Sequence, residues 1–173
     1  TNTSRFPWRP HAFDCDGDGQ VDVIRCDTRM GLVATSGART EPDWSYRLPG
    51  EVGCPPVATD LDADRIPDVV ACAVDGRSSH VLAISGATPR LLWRFDLDQR
   101  ADPMVSFLDL DGDGKHEVVV VDRVGGINAL DGRTGRRLWT GPRRTVTAAP
   151  QRLRRPDGGA AVMHRVSHPP RRG

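Results

Sequence analysis

The chain has 173 residues, enough for one domain or a small pair, and its formal net charge of +1 argues against a protein that mainly coats nucleic acid or a membrane surface. An apolar fraction of 38% can form a core, but 18 glycines and 14 prolines divide the chain into short segments. Aliphatic runs such as residues 118–121 are far shorter than the roughly 20 apolar residues of a membrane-spanning helix. We therefore expect short strands and turns, and no transmembrane segment.

An internal repeat organises the chain. Acidic segments of nine residues begin at residues 14, 60 and 109, at steps of 46 and 49 residues, and are named here loop 1 (14–22), loop 2 (60–68) and loop 3 (109–117). A short apolar segment ending in glycine follows each loop, and a tryptophan stands seven residues after that glycine: Trp44, Trp93 and Trp139. Repeats of this length indicate stacked copies of one supersecondary unit.

Each repeat unit predicts four short β-strands. In the second unit the apolar segments are residues 57–59, 69–74, 81–84 and 91–95, with turn residues between them. No segment keeps a helical period over the 10 to 12 residues or so that a helix requires. Four-stranded units at this spacing are typical of β-propeller blades. The predicted fold is therefore all-β, with blades of four antiparallel strands.

The blades are placed within residues 11–145, at about 11–50, 57–98 and 105–141. Residues 1–10 are interpreted as a linker or the end of a preceding blade, and residues 146–173 as a degenerate partial fourth blade with a basic tail. Three blades and a part of a fourth cannot close a ring of four to eight or so. We therefore expect an incomplete ring whose remaining blades come from the rest of a longer chain or from another chain. The first residue, Thr1, is not Met, which also suggests a processed product or a fragment.

The three loops share a pattern of oxygen ligands. Carboxylates occupy the first, third, fifth and ninth positions, and without a cation each neighbouring pair at about 4 Å would repel by roughly 1 kcal/mol in water. Hard oxygen ligands in a flexible turn favour Ca²⁺ over Mg²⁺, and the lack of paired His or Cys disfavours zinc and copper. The seventh residue is expected to offer its main-chain carbonyl. The predicted ligands of two or three calcium ions are Asp14, Asp16, Asp18, Gln20, Asp22, Asp60, Asp62, Asp64, Ile66, Asp68, Asp109, Asp111, Asp113, Lys115 and Glu117.

Loop 2 departs from the other two. Gly19 and Gly114 stand at the sixth position, where a tight turn favours glycine. Loop 2 has Ala63, Arg65 and Pro67 at its fourth, sixth and eighth positions, so we expect it to be the weakest site or a strained one. The alternative for all three loops is that Asp and Gly stand there only as good turn residues.

These loops resemble the FG-GAP/VCBS repeats, which build the propeller of integrin α subunits and of many bacterial surface proteins. An EF-hand does not fit, because the twelfth position lacks Glu and strand residues follow each loop. The resemblance covers about residues 10–145 and implies calcium in the hairpin between the first two strands of each blade, with a mostly structural role and a partner on the opposite face. Residues 129–139 also resemble the AxDxxTGxxxW signature of PQQ-like (quinoprotein-type) repeats, in which the Trp docks one blade onto the next.

The leading functional hypothesis is a calcium-binding interaction or adhesion module at an extracellular, cell-surface or periplasmic location. Its expected partner is a protein or a carbohydrate, with no nucleic acid and no membrane insertion. The partner would contact the rim where the second and third strands connect, and solvated Asp–Arg pairs are the alternative interpretation of that rim. The candidate partner-binding residues are Arg29, Arg77 and Arg123.

Two alternative functions remain. One is a propeller segment of a polysaccharide lyase or a quinoprotein-like enzyme, and the other is the sensor domain of a multidomain receptor. No catalytic constellation is evident, and the five histidines are scattered and predicted to lie at the surface, so we expect no enzymatic activity. The four cysteines lack the CxxC spacing of a zinc or redox site, and they fit either buried thiols or one or two disulfide bridges: Cys15, Cys26, Cys54 and Cys72.

Overall fold

A computed structural model describes residues 10–27, 31–37, 39, 41–76, 78–97, 104–122, 125–141, 151–154 and 160–163. Throughout these residues the regular elements are β-strands in antiparallel sheets. This part of the chain offers no helix with the length and apolar character needed to cross a bilayer. The all-β fold with propeller-like blades agrees with the prediction from the repeat.

Three sheets follow one another along the chain, and a hairpin comes after them. The first sheet is the meander β1 (His11–Phe13), β2 (Asp22–Asp27), β3 (Gly31–Ser36) and β4 (Trp44–Tyr46). The second contains β5 (Glu51–Val52), β6 (Val57–Thr59), β7 (Asp68–Asp75), β8 (Ser78–Ile84) and β9 (Leu91–Leu97). The third is β10 (Met104–Leu108), β11 (Glu117–Val121), β12 (Ile127–Leu130) and β13 (Arg137–Gly141). The hairpin pairs β14 (Gln151–Arg154) with β15 (Ala160–Met163).

The second sheet differs from the predicted pattern of four strands. Both β5 and β6 pair with β7, so two short strands share the place that one strand occupies in the other sheets. Pro55 and Pro56 lie between them. Proline has no N–H to donate to a neighbouring strand, and it therefore interrupts the ladder at this point. The sequence analysis did not predict β5.

The middle sheet is buried on both faces. Val69, Ala71 and Ala73 of β7 belong to a core that includes Ile24 and Leu32 of the first sheet. The intervening residues of β7 face the third sheet, in a core of Val70, Cys72, Val81, Val118, Val120 and Leu130 with five further buried residues. A strand covered on both sides needs no polar alternation, which explains the continuous apolar sequence of β7.

Candidate metal centre

Each acidic loop connects the same two strands of its sheet. The residue before the loop pairs with the ninth residue of the loop, which begins the next strand: Phe13 with Asp22, Thr59 with Asp68, and Leu108 with Glu117. The first eight residues therefore project from the sheet edge as a hairpin connection. This common register places the three loops equivalently in their sheets.

Three carboxylates converge in every loop. Within each group, one carboxylate oxygen per residue lies within 4.8 Å of the others. The groups differ, because loop 1 combines its first, third and fifth positions, whereas loops 2 and 3 combine the first, third and ninth. They are Asp14, Asp16 and Asp18; Asp60, Asp62 and Asp68; and Asp109, Asp111 and Glu117.

The remaining predicted ligands are not in these groups. In loop 3, Asp113 accepts a hydrogen bond from the main-chain N–H of Lys115 at 2.8 Å and contacts its ammonium group at 3.0 Å. These contacts with Lys115 lower the pKa of Asp113. Asp18 and Asp64 likewise accept hydrogen bonds from the N–H groups of the seventh residues, Gln20 and Ile66, at 2.7 and 2.8 Å. The seventh residue thus contacts the fifth-position carboxylate in all three loops.

The first carboxylate of each loop organises the turn. Asp14 accepts hydrogen bonds from the N–H groups of Gly17 at 2.6 Å and Gly19 at 2.8 Å. The bond from Gly19 is the largest of the influences that hold the pKa of Asp14 below its ordinary value. In loop 2, Asp60 accepts from Ala63 at 2.7 Å and Arg65 at 2.9 Å. A carboxylate that accepts two main-chain hydrogen bonds is oriented without help from a cation.

The ninth carboxylate of each loop is buried. Asp22 and Asp68 are 1% and 0% exposed, and each accepts a hydrogen bond from the residue after the first carboxylate of its own loop. Burial raises the pKa of Asp68 to about 6, and burial also raises the pKa of Glu117. Among the described residues, Oδ1 of Asp22 is the buried side-chain oxygen that has no hydrogen-bond partner. Such an oxygen is costly unless a donor or a cation satisfies it, so the donor set fits a hard cation.

The backbone conformation of loop 2 carries strain. In loops 1 and 3 the fourth and sixth residues are glycines with φ between 81° and 86°. Loop 2 keeps this left-handed conformation with Ala63 at φ 70° and Arg65 at φ 74°. A side chain with a Cβ pays about 1 to 2 kcal/mol for such a conformation. The expectation of a strained second loop therefore has a structural basis, and the fourth position proves as demanding as the sixth.

The loops lie beside the contacts that join one sheet to the next. Trp44 Nε1 donates to the carbonyl oxygen of Gly86 at 3.0 Å, across the first and second sheets. The N–H of Gly86 in turn donates to Oδ1 of Asp68 at 3.3 Å. Thr59 Oγ1 and His116 Nδ1, 2.8 Å apart, connect the second sheet to loop 3. Residues of loops 2 and 3 therefore take part directly in the hydrogen bonds that join neighbouring sheets.

Two predictions concern residues outside the acidic loops. The candidate partner-binding residues Arg29, Arg77 and Arg123 lie outside the described residues. The prediction that the histidines lie at the surface is wrong for His80, which is 6% exposed. Its Nδ1 lies 2.7 Å from Oδ1 of Asp96, and Arg94 bonds to the same carboxylate oxygen at 2.6 Å. Cross-strand pairing of His80 with Asp96 produces this contact, which a search for catalytic spacing along the sequence does not detect.

Comparison with known proteins concerns the fold alone. No protein-family model and no curated protein matches the chain. The structure of BBS1N in complex with ARL6DN is similar, with a TM-score of 0.61 and 16% identity over 90% of this chain and 52% of that chain. BamB from Moraxella catarrhalis gives a TM-score of 0.49 and 20% identity over 78% of this chain and 39% of that chain. The chain thus spans about half the length of BBS1N, whose likeness supports a propeller-like fold.

Proposed function

We propose that this chain is a calcium-stabilised β-propeller interaction module of the FG-GAP/VCBS type. The observation that carries the proposal is the buried Oδ1 of Asp22, which has no hydrogen-bond partner among the described residues and belongs to a loop rich in carboxylates. A buried carboxyl oxygen without a donor is costly, and a bound cation would compensate for the missing hydrogen bond. The acidic groups of three equivalent loops would offer such a cation a site in each repeat.

Calcium is the cation that suits these ligands. Ca²⁺ accepts six to eight or so oxygen ligands with flexible geometry, whereas Mg²⁺ demands a near-ideal octahedron. The residues that would hold it are the three carboxylates of each group. In loop 1 the proposal adds Asp22, which is outside the converging group but has a buried Oδ1 without a partner. Two basic side chains already touch the loops, since Arg90 lies 3.9 Å from Asp62 and Lys115 lies 3.0 Å from Asp113. Neither basic contact involves a ninth-position carboxylate.

The proposed role of the ion is structural. Asp68 joins loop 2 to Gly86, which accepts the hydrogen bond of Trp44 from the preceding sheet. A cation that holds the carboxylates of loop 2 together would therefore also hold the acceptor of this inter-sheet bond in place. Extracellular calcium modules have Kd values of about 10⁻⁴ to 10⁻³ M, which matches an extracellular, cell-surface or periplasmic location.

The proposed partner surface is the rim opposite the acidic loops. It is formed by the connections between β2 and β3, β7 and β8, and β11 and β12, where the sequence places one arginine in each unit. Arginine forms paired hydrogen bonds with carboxylates and similar planar anions. A protein or a carbohydrate with acidic groups is the partner chemistry that these arginines favour, and the proposed activity is binding and not catalysis.

Thermal unfolding with and without chelator tests the calcium site. Binding at ten times Kd adds roughly 1.4 kcal/mol per site, so saturating calcium should raise Tm by several degrees over the value in EDTA. Asp16→Asn should reduce this increment, because it removes a converging carboxylate from loop 1. Asp75→Asn removes the same charge from the exposed last residue of β7, outside the acidic loops, and should keep the full increment. Equal Tm values with calcium and with EDTA would refute the proposal.

A further inference from the structure

The segment that joins β5 to β6 lies directly against β7. Val52 pairs with Ala73 and Val57 with Val70, so the four residues 53–56 face only two residues of β7. The N–H of Gly53 donates to the carbonyl oxygen of Cys72 at 2.8 Å. A Cβ placed on Gly53 would lie 3.7 Å from the Cβ of Cys72. The bulged segment is therefore fixed at the position of Cys72, with Cys54 as its next residue.

Two thiols meet at this position. Cys54 and Cys72 are 2% and 0% exposed and belong to the same core, between the second and third sheets. Both are free thiols, and the pKa of Cys72 is raised by burial and by the neighbouring Cys54 thiol. Two thiols in one core, on backbone segments that are hydrogen-bonded to each other, are the pair best placed for a disulfide.

The other two cysteines are placed differently. Cys15 and Cys26 lie in the core between the first and second sheets. Cys15 lies near the carboxylates of Asp22, Asp16 and Asp43, and its thiol pKa is raised mainly by burial. Burial raises the pKa of the Cys26 thiol and the nearby Cys54 thiol adds to this, but no hydrogen bond joins the two cysteines. Cys26 is therefore the competing partner for Cys54, and contact favours Cys72.

We propose that Cys54 and Cys72 form an intramolecular disulfide when the chain folds in an oxidising environment. An organic disulfide is the oxidant: one cysteine thiolate attacks it and releases one thiol, and the second cysteine then displaces the other thiol from the mixed disulfide. The protein loses two electrons and two protons, and the organic disulfide becomes two thiols. The bond fastens the β5–β6 connection to β7. It is independent of calcium, so its failure would leave the proposed metal sites unaffected.

Burial determines when this reaction occurs. The thiolate is the attacking species, and burial raises the pKa of the Cys72 thiol well above its ordinary value. Exchange is therefore slow once the core has closed, and the bond forms during folding. The same burial then protects the finished disulfide from reductants in solution.

Peptide mapping tests the pairing directly, because trypsin separates the four cysteines into peptides 6–25, 26–29, 48–65 and 66–77. The full chain is refolded with a mixture of reduced and oxidised glutathione, alkylated in denaturant and digested. We expect peptides 48–65 and 66–77 to be linked, and peptides 6–25 and 26–29 to carry alkylated cysteine. Four alkylated cysteines, or a link that joins peptide 26–29 to 48–65, would overturn the proposal.

Variants provide the second measurement. Cys54→Ala and Cys72→Ala should each abolish the linked peptide, whereas Cys15→Ala should retain it. Wild type refolded in the presence of a reductant should have a Tm about 5 °C or more below that of the oxidised wild type, because the loop that the bond would close keeps its freedom in the unfolded state. Reduction should leave the Tm of Cys54→Ala unchanged. If reduction lowers the Tm of both proteins equally, the bond is elsewhere and the proposal is wrong.

Discussion

The indole Nε1 of Trp93 donates a 2.7 Å hydrogen bond to the carbonyl oxygen of Gly132 in the next sheet. Trp44 makes the equivalent bond to Gly86 one repeat earlier. In both cases the acceptor glycine lies two residues after the end of a strand, β8 or β12, and the donor lies in the outer strand of the preceding sheet. The third tryptophan of the series, Trp139, is 39% exposed. Side chains that are identical in the repeat thus have different surroundings.

Replacing the buried tryptophan should destabilise the protein. Trp93→Phe removes the hydrogen bond and leaves the oxygen of Gly132 without that donor, which should lower the free energy of unfolding by about 2 kcal/mol. Trp139→Phe is the matched control, and its effect should stay within about 0.5 kcal/mol. Urea denaturation measures the free energy of unfolding of both variants. Equal decreases would show that the hydrogen bond between the sheets does not contribute to stability.

Adding one methyl group at the acceptor glycine should be more damaging. A Cβ at Gly132 would overlap the carbonyl oxygen of His116 and lie 3.0 Å from Leu61 Cδ2. Gly132→Ala should therefore cost about 3 kcal/mol or more, since neither the backbone of loop 3 nor the second sheet can yield without losing contacts. Gly76→Ala meets no atom within 4 Å and should cost about 1 kcal/mol for its left-handed φ. Chemical denaturation of the two variants compares them, and a smaller loss for Gly132→Ala contradicts the prediction.

Glycine should relieve the strain of loop 2. Arg65→Gly removes a Cβ from a residue with φ 74°, and the resulting gain of about 1 kcal/mol in the free energy of unfolding is partly offset by the greater entropy of glycine in the unfolded chain. Ala12→Gly introduces glycine into the extended strand β1 and should be destabilising by about 0.5 to 1 kcal/mol. Both are measured in EDTA, so that stability is read without bound cation. A loss of stability in Arg65→Gly as large as that in Ala12→Gly would contradict the strain.

The buried carboxyl of Asp68 should produce a defined pH dependence in EDTA. Its pKa is about 6 in the folded protein, against an ordinary value of 3.8, so the folded state binds the proton more tightly. Stability from this group is present at low pH and falls as pH rises from about 4 to about 6, by on the order of 2 to 3 kcal/mol. Asp68→Asn has no such proton to lose. From pH 4 to pH 6 the free energy of unfolding of the wild type should therefore fall relative to that of Asp68→Asn. If the two free energies change with pH in the same way, the prediction is wrong.

The strands of the second unit could be predicted from sequence because their apolar segments are short and bounded by turn residues. Residues 69–74 and 81–84 lie within β7 and β8 as expected. The extra strand β5 was missed because two residues carry no periodic signal, and its pairing with β7 depends on tertiary contact. The acceptors of the tryptophan hydrogen bonds could not be predicted either, because Trp93 and Gly132 are 39 residues apart in sequence.

The candidate site was predictable in composition and less so in geometry. Spacing identified the carboxylates of all three loops, but it treated their four acidic positions as equivalent. The structure distinguishes them: the fifth-position Asp113 bonds to Lys115, whereas the ninth-position Glu117 is buried. Burial depends on where the sheet begins, and the register of β11 with β10 decides it.

Side chains of β7 alternate between two cores, so the strand cannot lose a single residue without disrupting both. Val69 and Ala71 face one neighbouring sheet, and Val70 and Cys72 face the other. Deleting a single residue within the strand would exchange these two sets, so that every side chain beyond the deletion would enter the wrong core. A substitution within β7 alters the contacts of one side chain only. A deletion must remove two residues if the remaining side chains are to keep facing their own cores.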